Sequence, residues 1–129
     1  MPHVLIVEDD PEVAEMLNYL LRGEGYSTQL AANGARGLDS LRQRRPCLVL
    51  LDIMMPVMDG WEFREQQLRD PSIANVPVLC VTAVNDLTKV KERLKVECLH
   101  KPVDYDALLD AVSAQCRATR SGARPAESC

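Results

Sequence analysis

No apolar stretch in the chain approaches the ~20 residues that a membrane-spanning helix needs. The start, Met1-Pro2-His3 followed by Val4-Leu5-Ile6-Val7, has neither the charged nor the apolar region of a secretory leader. Both absences give the expectation of a cytoplasmic protein. There is no C-x-x-C spacing, and the five cysteines (Cys47, Cys80, Cys98, Cys116, Cys129) are odd in number. That pattern excludes the usual zinc and dithiol motifs and implies no disulfide framework. Cys47 and Cys80 stand within apolar runs and read as small buried hydrophobes. Basic excess is missing too: the net charge is −4 and the pI about 5.1, so the chain has no electrostatic reason to bind nucleic acid directly. The basic run Arg42, Arg44, Arg45 is read as a solvated helix end. With no internal repeat and no sign of a second domain, 129 residues make one unit large enough to bury a core.

What is present is alternation. Apolar runs of strand length (Val4–Val7, Tyr26–Ala31, Cys47–Leu51, Val76–Val81 and a short one at Cys98-Leu99) are separated by stretches of helical period. This predicts an α/β protein with a parallel sheet and five helices on both faces. The first helix opens at Asp10-Pro11, a cap followed by proline at the first helical position. The second runs from about Gly34 to Arg44. The third, from about Gly60 to Arg69, rests on Trp61, Phe63 and Leu68. The fourth carries Leu87, Val90 and Leu94 on one face, and the fifth Tyr105, Leu108, Leu109, Val112 and Cys116. The first, third and fourth strands are continuously apolar, as expected when helices cover both faces. The second alternates and the fifth is short, so these read as edges. Right-handed crossovers then give the order 2-1-3-4-5, a doubly wound, flavodoxin-like five-stranded sheet. The domain is expected over residues 1–117, with 118–129, small and polar, as a flexible C-terminal tail.

In such a sheet ligands bind beyond the carboxyl ends of the strands. Strand 1 ends in Glu8-Asp9-Asp10, strand 3 in Asp52, strand 4 in Thr82 and strand 5 in Lys101. Each has a bland reading: Asp9 and Asp10 as helix caps, Asp52 as a turn residue, Thr82 as a strand end. Four coincidences on one rim make the joint bland reading improbable. Crowded carboxylates repel unless a cation sits among them, and hard oxygen ligands suit Mg²⁺. With the metal present, one carboxylate can act as nucleophile toward a phosphoryl group, whose transfer needs mainly positioning and charge neutralisation. Lys101 supplies charge, Thr82 a hydroxyl, and the backbone N–H groups around Ile53-Met54 and Ala83 further donors.

These residues resemble the receiver domain of two-component response regulators. The resemblance covers roughly residues 3–117 and rests on V-L-I-V-E-D-D-P at 4–11, L-L-D-I-M-M-P-V-M-D-G at 50–60, V-T-A at 81–83 and H-K-P at 100–102. It implies that Asp52 is the phosphoacceptor, Asp9 a direct Mg²⁺ ligand, Glu8 the acid holding a metal-bound water and the Met54 carbonyl a further ligand. Asp52 itself counts in that metal set. Thr82 and Lys101 would be the switch hydroxyl and the phosphate-pairing lysine, with a cis peptide before Pro102. A sensor histidine kinase or phosphotransfer protein would donate the phosphoryl group, and the output partner stays unspecified. The chain would be a switch assisting only its own phosphorylation and dephosphorylation, not an enzyme acting on other substrates.

Two departures stand out. Receivers usually carry an aromatic or bulky residue three positions before the lysine, where this chain has Cys98. The stretch from Thr82 to Lys101 is shorter than common, with Lys95-Val96-Glu97 in place of a Gly-Ala turn. Rival readings fit less well. A haloacid-dehalogenase-type phosphatase needs D-x-D after strand 1, and a flavin carrier needs a Ser/Thr/Gly-rich phosphate loop there rather than acids. A constitutive docking module does not need the full set of Asp9, Asp52, Thr82 and Lys101.

Overall fold

A computed structural model describes residues 3–121, with side chains through Arg117. Its elements are β1 (His3–Val7), α1 (Pro11–Gly23), β2 (Ser27–Ala31), α2 (Gly34–Gln43), β3 (Leu48–Leu51), α3 (Gly60–Arg69), β4 (Val78–Thr82), α4 (Leu87–Leu94), β5 (Glu97–His100) and α5 (Tyr105–Ser121). The strands are all parallel, in the order β2-β1-β3-β4-β5. Fold class, edge strands and strand order are as the sequence predicts.

The pleat divides the interior in two, because successive strand residues point to opposite faces. Val4 and Ile6 join Leu48 and Leu50 under Leu17 and Leu21 of α1 and Leu108 and Val112 of α5. Leu5 and Val7 join Val49 and Leu51 on the other face, under α2, α3 and α4. The β1 positions Val4 to Val7 are at most 1% exposed, which explains their unbroken apolar run. Asp10 caps α1 by accepting from Glu12 N–H, with Pro11 at the first helical position.

Three expectations need correction. Cys47 and Cys116 form a disulfide, their Cα atoms 5.0 Å apart, where no such framework was expected. The start of β3 and the end of α5 meet on one face of the sheet, and a separation of 69 residues leaves no spacing signal of that meeting. Cys80 does behave as expected: it is fully buried and free. The inward face of α3 is also different. Phe63 is fully buried, but Leu68 is 46% exposed and Arg64 and Gln67 take the inward positions. They do so because α3 lies over chain ends whose carbonyls need donors. Gln67 Nε2 donates to the carbonyls of Ile73 and Val76, 3.0 Å each, and Arg64 Nε donates to that of Leu94 at 2.9 Å. In α5, Tyr105 is 47% exposed rather than inward. That helix continues past residue 117 to Ser121, and the rest of the expected tail, 122–129, lies outside the described residues.

The turn before β5 forms without glycine. Lys95 itself takes the left-handed conformation (φ 57°) and its N–H donates to the Lys91 carbonyl at 2.8 Å, closing α4.

Candidate functional site

Parallel strands deliver their last residues to one rim, so four distant sequence segments arrive together. Glu8 and Asp9 follow β1, Asp52 follows β3, Thr82 ends β4 and Lys101 follows β5. Carboxylate oxygens of Glu8, Asp9 and Asp52 lie within 4.8 Å of one another. Lys101 Nζ stands 2.6 Å from Glu8 Oε1 and 3.4 Å from Asp52 Oδ2. Asp52 Oδ1 accepts from Ile53 N–H at 2.8 Å, and Glu8 Oε2 from Asp10 N–H at 3.2 Å. Glu8 and Asp52 are buried, whereas Asp9 is exposed. Thr82 is wholly buried, and its hydroxyl accepts from Val84 N–H at 3.1 Å. Met54 lies on the loop after Asp52 with its side chain 66% exposed. The peptide between Lys101 and Pro102 is cis, as the resemblance implies.

Burial pushes the Glu8 carboxyl up to about 7; the nearby Asp52 charge adds to this, and the bond from Lys101 opposes it. Lys101 is raised overall: burial works against its charge, but the bond to Glu8 and the charge of Asp52 outweigh it. Three hard carboxylates gathered in a half-buried cleft are a donor set that fits Mg²⁺. The acids outnumber the one cation beside them, which is the imbalance a divalent ion relieves.

Gly60, the first residue of α3, and Val57, in the loop after β3, did not figure in the sequence reading as site residues. A Cβ on Gly60 would lie 2.5 Å from the Asp52 carbonyl oxygen, so α3 can begin against the Asp52 backbone only with glycine there. Its N–H donates to the Ile53 carbonyl at 2.7 Å. Asp59 caps α3 by accepting from Glu62 N–H, and this D-G pair before a helical run was the available signal. Val57 adopts φ 69°, a left-handed conformation that a β-branched residue adopts only under strain, and is 83% exposed.

A doubly wound sheet with an acidic rim, a buried threonine and a lysine facing an aspartate defines a class of phosphoryl-accepting domains. Residues 4–113 match the family described as the response regulator receiver domain, and the chain belongs to that family. The family's role is phosphoryl acceptance in phosphorelay signalling. Among relatives, the DNA-binding response regulator MtrA of Mycolicibacterium smegmatis is 37% identical over 127 residues, covering 96% of this chain and 54% of that protein. The DNA-binding dual master transcriptional regulator RpaA of Synechocystis is 33% identical over 125 residues, covering 92% and 51%. The chain thus spans about half the length of these relatives. The signal receiver domain of a Syntrophus aciditrophicus signal transduction histidine kinase superposes with a TM-score of 0.85 at 28% identity, covering 95% of this chain and 96% of that one. The receiver domain of a Pseudomonas aeruginosa sensor histidine kinase, with magnesium in its active-site cleft, gives 0.81 at 26%, covering 91% and 98%.

Proposed function

We propose that Asp52 is the phosphoacceptor of a conformational switch. The observation that carries this is the meeting of Asp52 with Lys101, Glu8 and Asp9 on one rim. A carboxylate oxygen of Asp52 attacks the phosphorus of a phosphohistidine on a sensor histidine kinase or phosphotransfer protein; the P–N bond breaks, and the imidazole leaves with its electron pair. Lys101 pairs with an equatorial oxygen of the transferred group and the Thr82 hydroxyl donates to another. Glu8, Asp9, Asp52 and the Met54 carbonyl are the residues that would hold Mg²⁺, which supplies neutralisation of charge developing on the phosphoryl oxygens. Residues 1–117 make up the receiver domain, whose last helix runs on to Ser121.

The chain acts as a switch and does no chemistry beyond its own phosphorylation and dephosphorylation. With a net charge of −4 it contacts an output partner and not nucleic acid. No described helix is long and apolar enough to cross a membrane, which supports a cytoplasmic placement. There, reductants would hold Cys47 and Cys116 as thiols.

Asp52→Asn tests the reading. With acetyl phosphate and Mg²⁺, the parent gains an acid-labile, hydroxylamine-sensitive phosphoryl group and the variant does not. Label at the parent level in the variant would move the acceptor elsewhere. Chelation of the metal is expected to suppress labelling of the parent as well.

A further inference from the structure

At the end of the sheet opposite the phosphorylation rim, where β4 and β5 begin, a second cavity of about 430 Å³ opens between α3 and α4. That volume falls within the range of small-molecule pockets. Its polar lining is Arg64, Lys91, Lys95, Asn75, Gln115 and a single acid, Glu97. Arg64 is the unusual member. It is nine-tenths buried, and its hydrogen-bond partners are the carbonyls of Leu94 and Lys95 and the amide oxygen of Gln67, all neutral. Among the described residues no carboxylate pairs with Arg64, Lys91 or Lys95. Burying a cation without a counter-charge is expensive, and neutral carbonyls relieve only part of that penalty. Burial indeed lowers the Arg64 pKa. The fork of a guanidinium presents five N–H groups, of which the three bonds use three.

We propose that this basal cavity is an anion site that takes a phosphate group, held by the Arg64 fork with Lys91 and Lys95 as flanking charges. Planar, bidentate recognition of oxyanions is what a partly committed guanidinium does best, and lysines on a helix turn supply point charge beside it. The cavity has room for a phosphate attached to a larger body. The bearer is therefore a small phosphorylated metabolite rather than the free ion, although both share the chemistry. The site is separate from Asp52, needs no divalent metal and does not depend on the phosphoacceptor reading.

The test is titration of the ¹⁵N-labelled protein in EDTA, once with inorganic phosphate and once with a phosphomonoester such as AMP. The expected result is saturable shifts in the backbone amides of 94–97 and in Arg64 Nε, tighter for the phosphomonoester. The surface double variant Lys91→Ala/Lys95→Ala should weaken binding about tenfold or more, the effect of ~1.4 kcal/mol. Arg64→Gln removes the donor that ties α3 to the Leu94 carbonyl; thermal melting of both variants shows which remain folded, and the lysine variant keeps the proposal falsifiable. Equal affinity of the two ligands would assign the site to free phosphate. Shifts that never saturate, or that are unchanged in the lysine variant, would overturn the proposal and leave the lysines as complements of the α4 carboxyl end.

Discussion

Lys101 Nζ is closer to Glu8, at 2.6 Å, than to Asp52, at 3.4 Å. Before phosphorylation the ammonium is therefore committed mainly to the acid on the metal side of the rim. A phosphoryl group on Asp52 brings new oxygens to the same ammonium and competes with Glu8 for it. Lys101→Ala is expected to fold, since its side chain lies outside both apolar clusters, and to lose the link between phosphate and conformation. Heteronuclear spectra of the phosphorylated variant should stay close to its unphosphorylated pattern. A match to the phosphorylated parent would remove Lys101 from the switch.

The lifetime of the phosphoryl group is a second expectation. By the resemblance to receivers, Met54 and Val84, two residues beyond Asp52 and Thr82, are expected to border the path of an attacking water. Neither side chain offers a strong hydrogen bond to orient that water. Met54 is 66% exposed and Val84 packs partly against the core under α4. Replacing them with Asn and Glu should shorten the lifetime by about tenfold, or ~1.4 kcal/mol on the barrier. Met54→Asn alone, at the more exposed position, gives a variant with little risk to folding. Decay after removal of the donor reads both, and unchanged rates would defeat the argument.

Val57 holds a β-branched side chain at φ 69°, 83% exposed to solvent. Val57→Gly removes the clash at the cost of greater freedom in the unfolded chain, and is expected to stabilise the fold by about 1 kcal/mol. The midpoint of urea unfolding checks this; a lower midpoint would mean the valine makes contacts that outweigh its strain.

His3 is buried, with Nε2 lacking a hydrogen-bond partner. Burial, and then the charge of Arg44, lower its pKa, while a bond with Gln29 opposes them. The unfolded chain therefore binds the proton more readily than the folded one. Stability is full above the ordinary value of 6.5 and falls as pH drops below it toward the folded pKa. His3→Phe should flatten that part of the stability curve. An unchanged slope would place the acid sensitivity in other groups.

The Cys47–Cys116 bond closes a loop spanning 69 residues of separation. Constraint of the unfolded chain by a loop of that length contributes about 4 kcal/mol. Reductant should lower the unfolding midpoint of the parent and leave a Cys47→Ala/Cys116→Ala variant unmoved. Equal midpoints of the parent with and without reductant would show that the bond adds nothing.

The residues of the rim were legible in the sequence because strand ends are local: an apolar run that stops at Asp52 or Thr82 announces its own terminus. The interior of α3 was not, because Arg64 and Gln67 look like solvent-facing residues until the carbonyls of Leu94, Ile73 and Val76 are seen above them. Gly60 was visible only as half of a helix-opening pair; that it abuts Asp52 depends on a three-dimensional approach. Cys98 is buried on the α4 side as the register partner of Cys80, so a small thiol fills the place where receivers usually carry an aromatic or bulky residue.

The contact of Gly60 with the Asp52 carbonyl has a mechanical consequence. The helix α3 is hinged on the backbone of the residue proposed to be modified, with no side chain between to cushion it. A tilt of that peptide would be carried into a ten-residue helix whose middle, through Arg64, grips the end of α4.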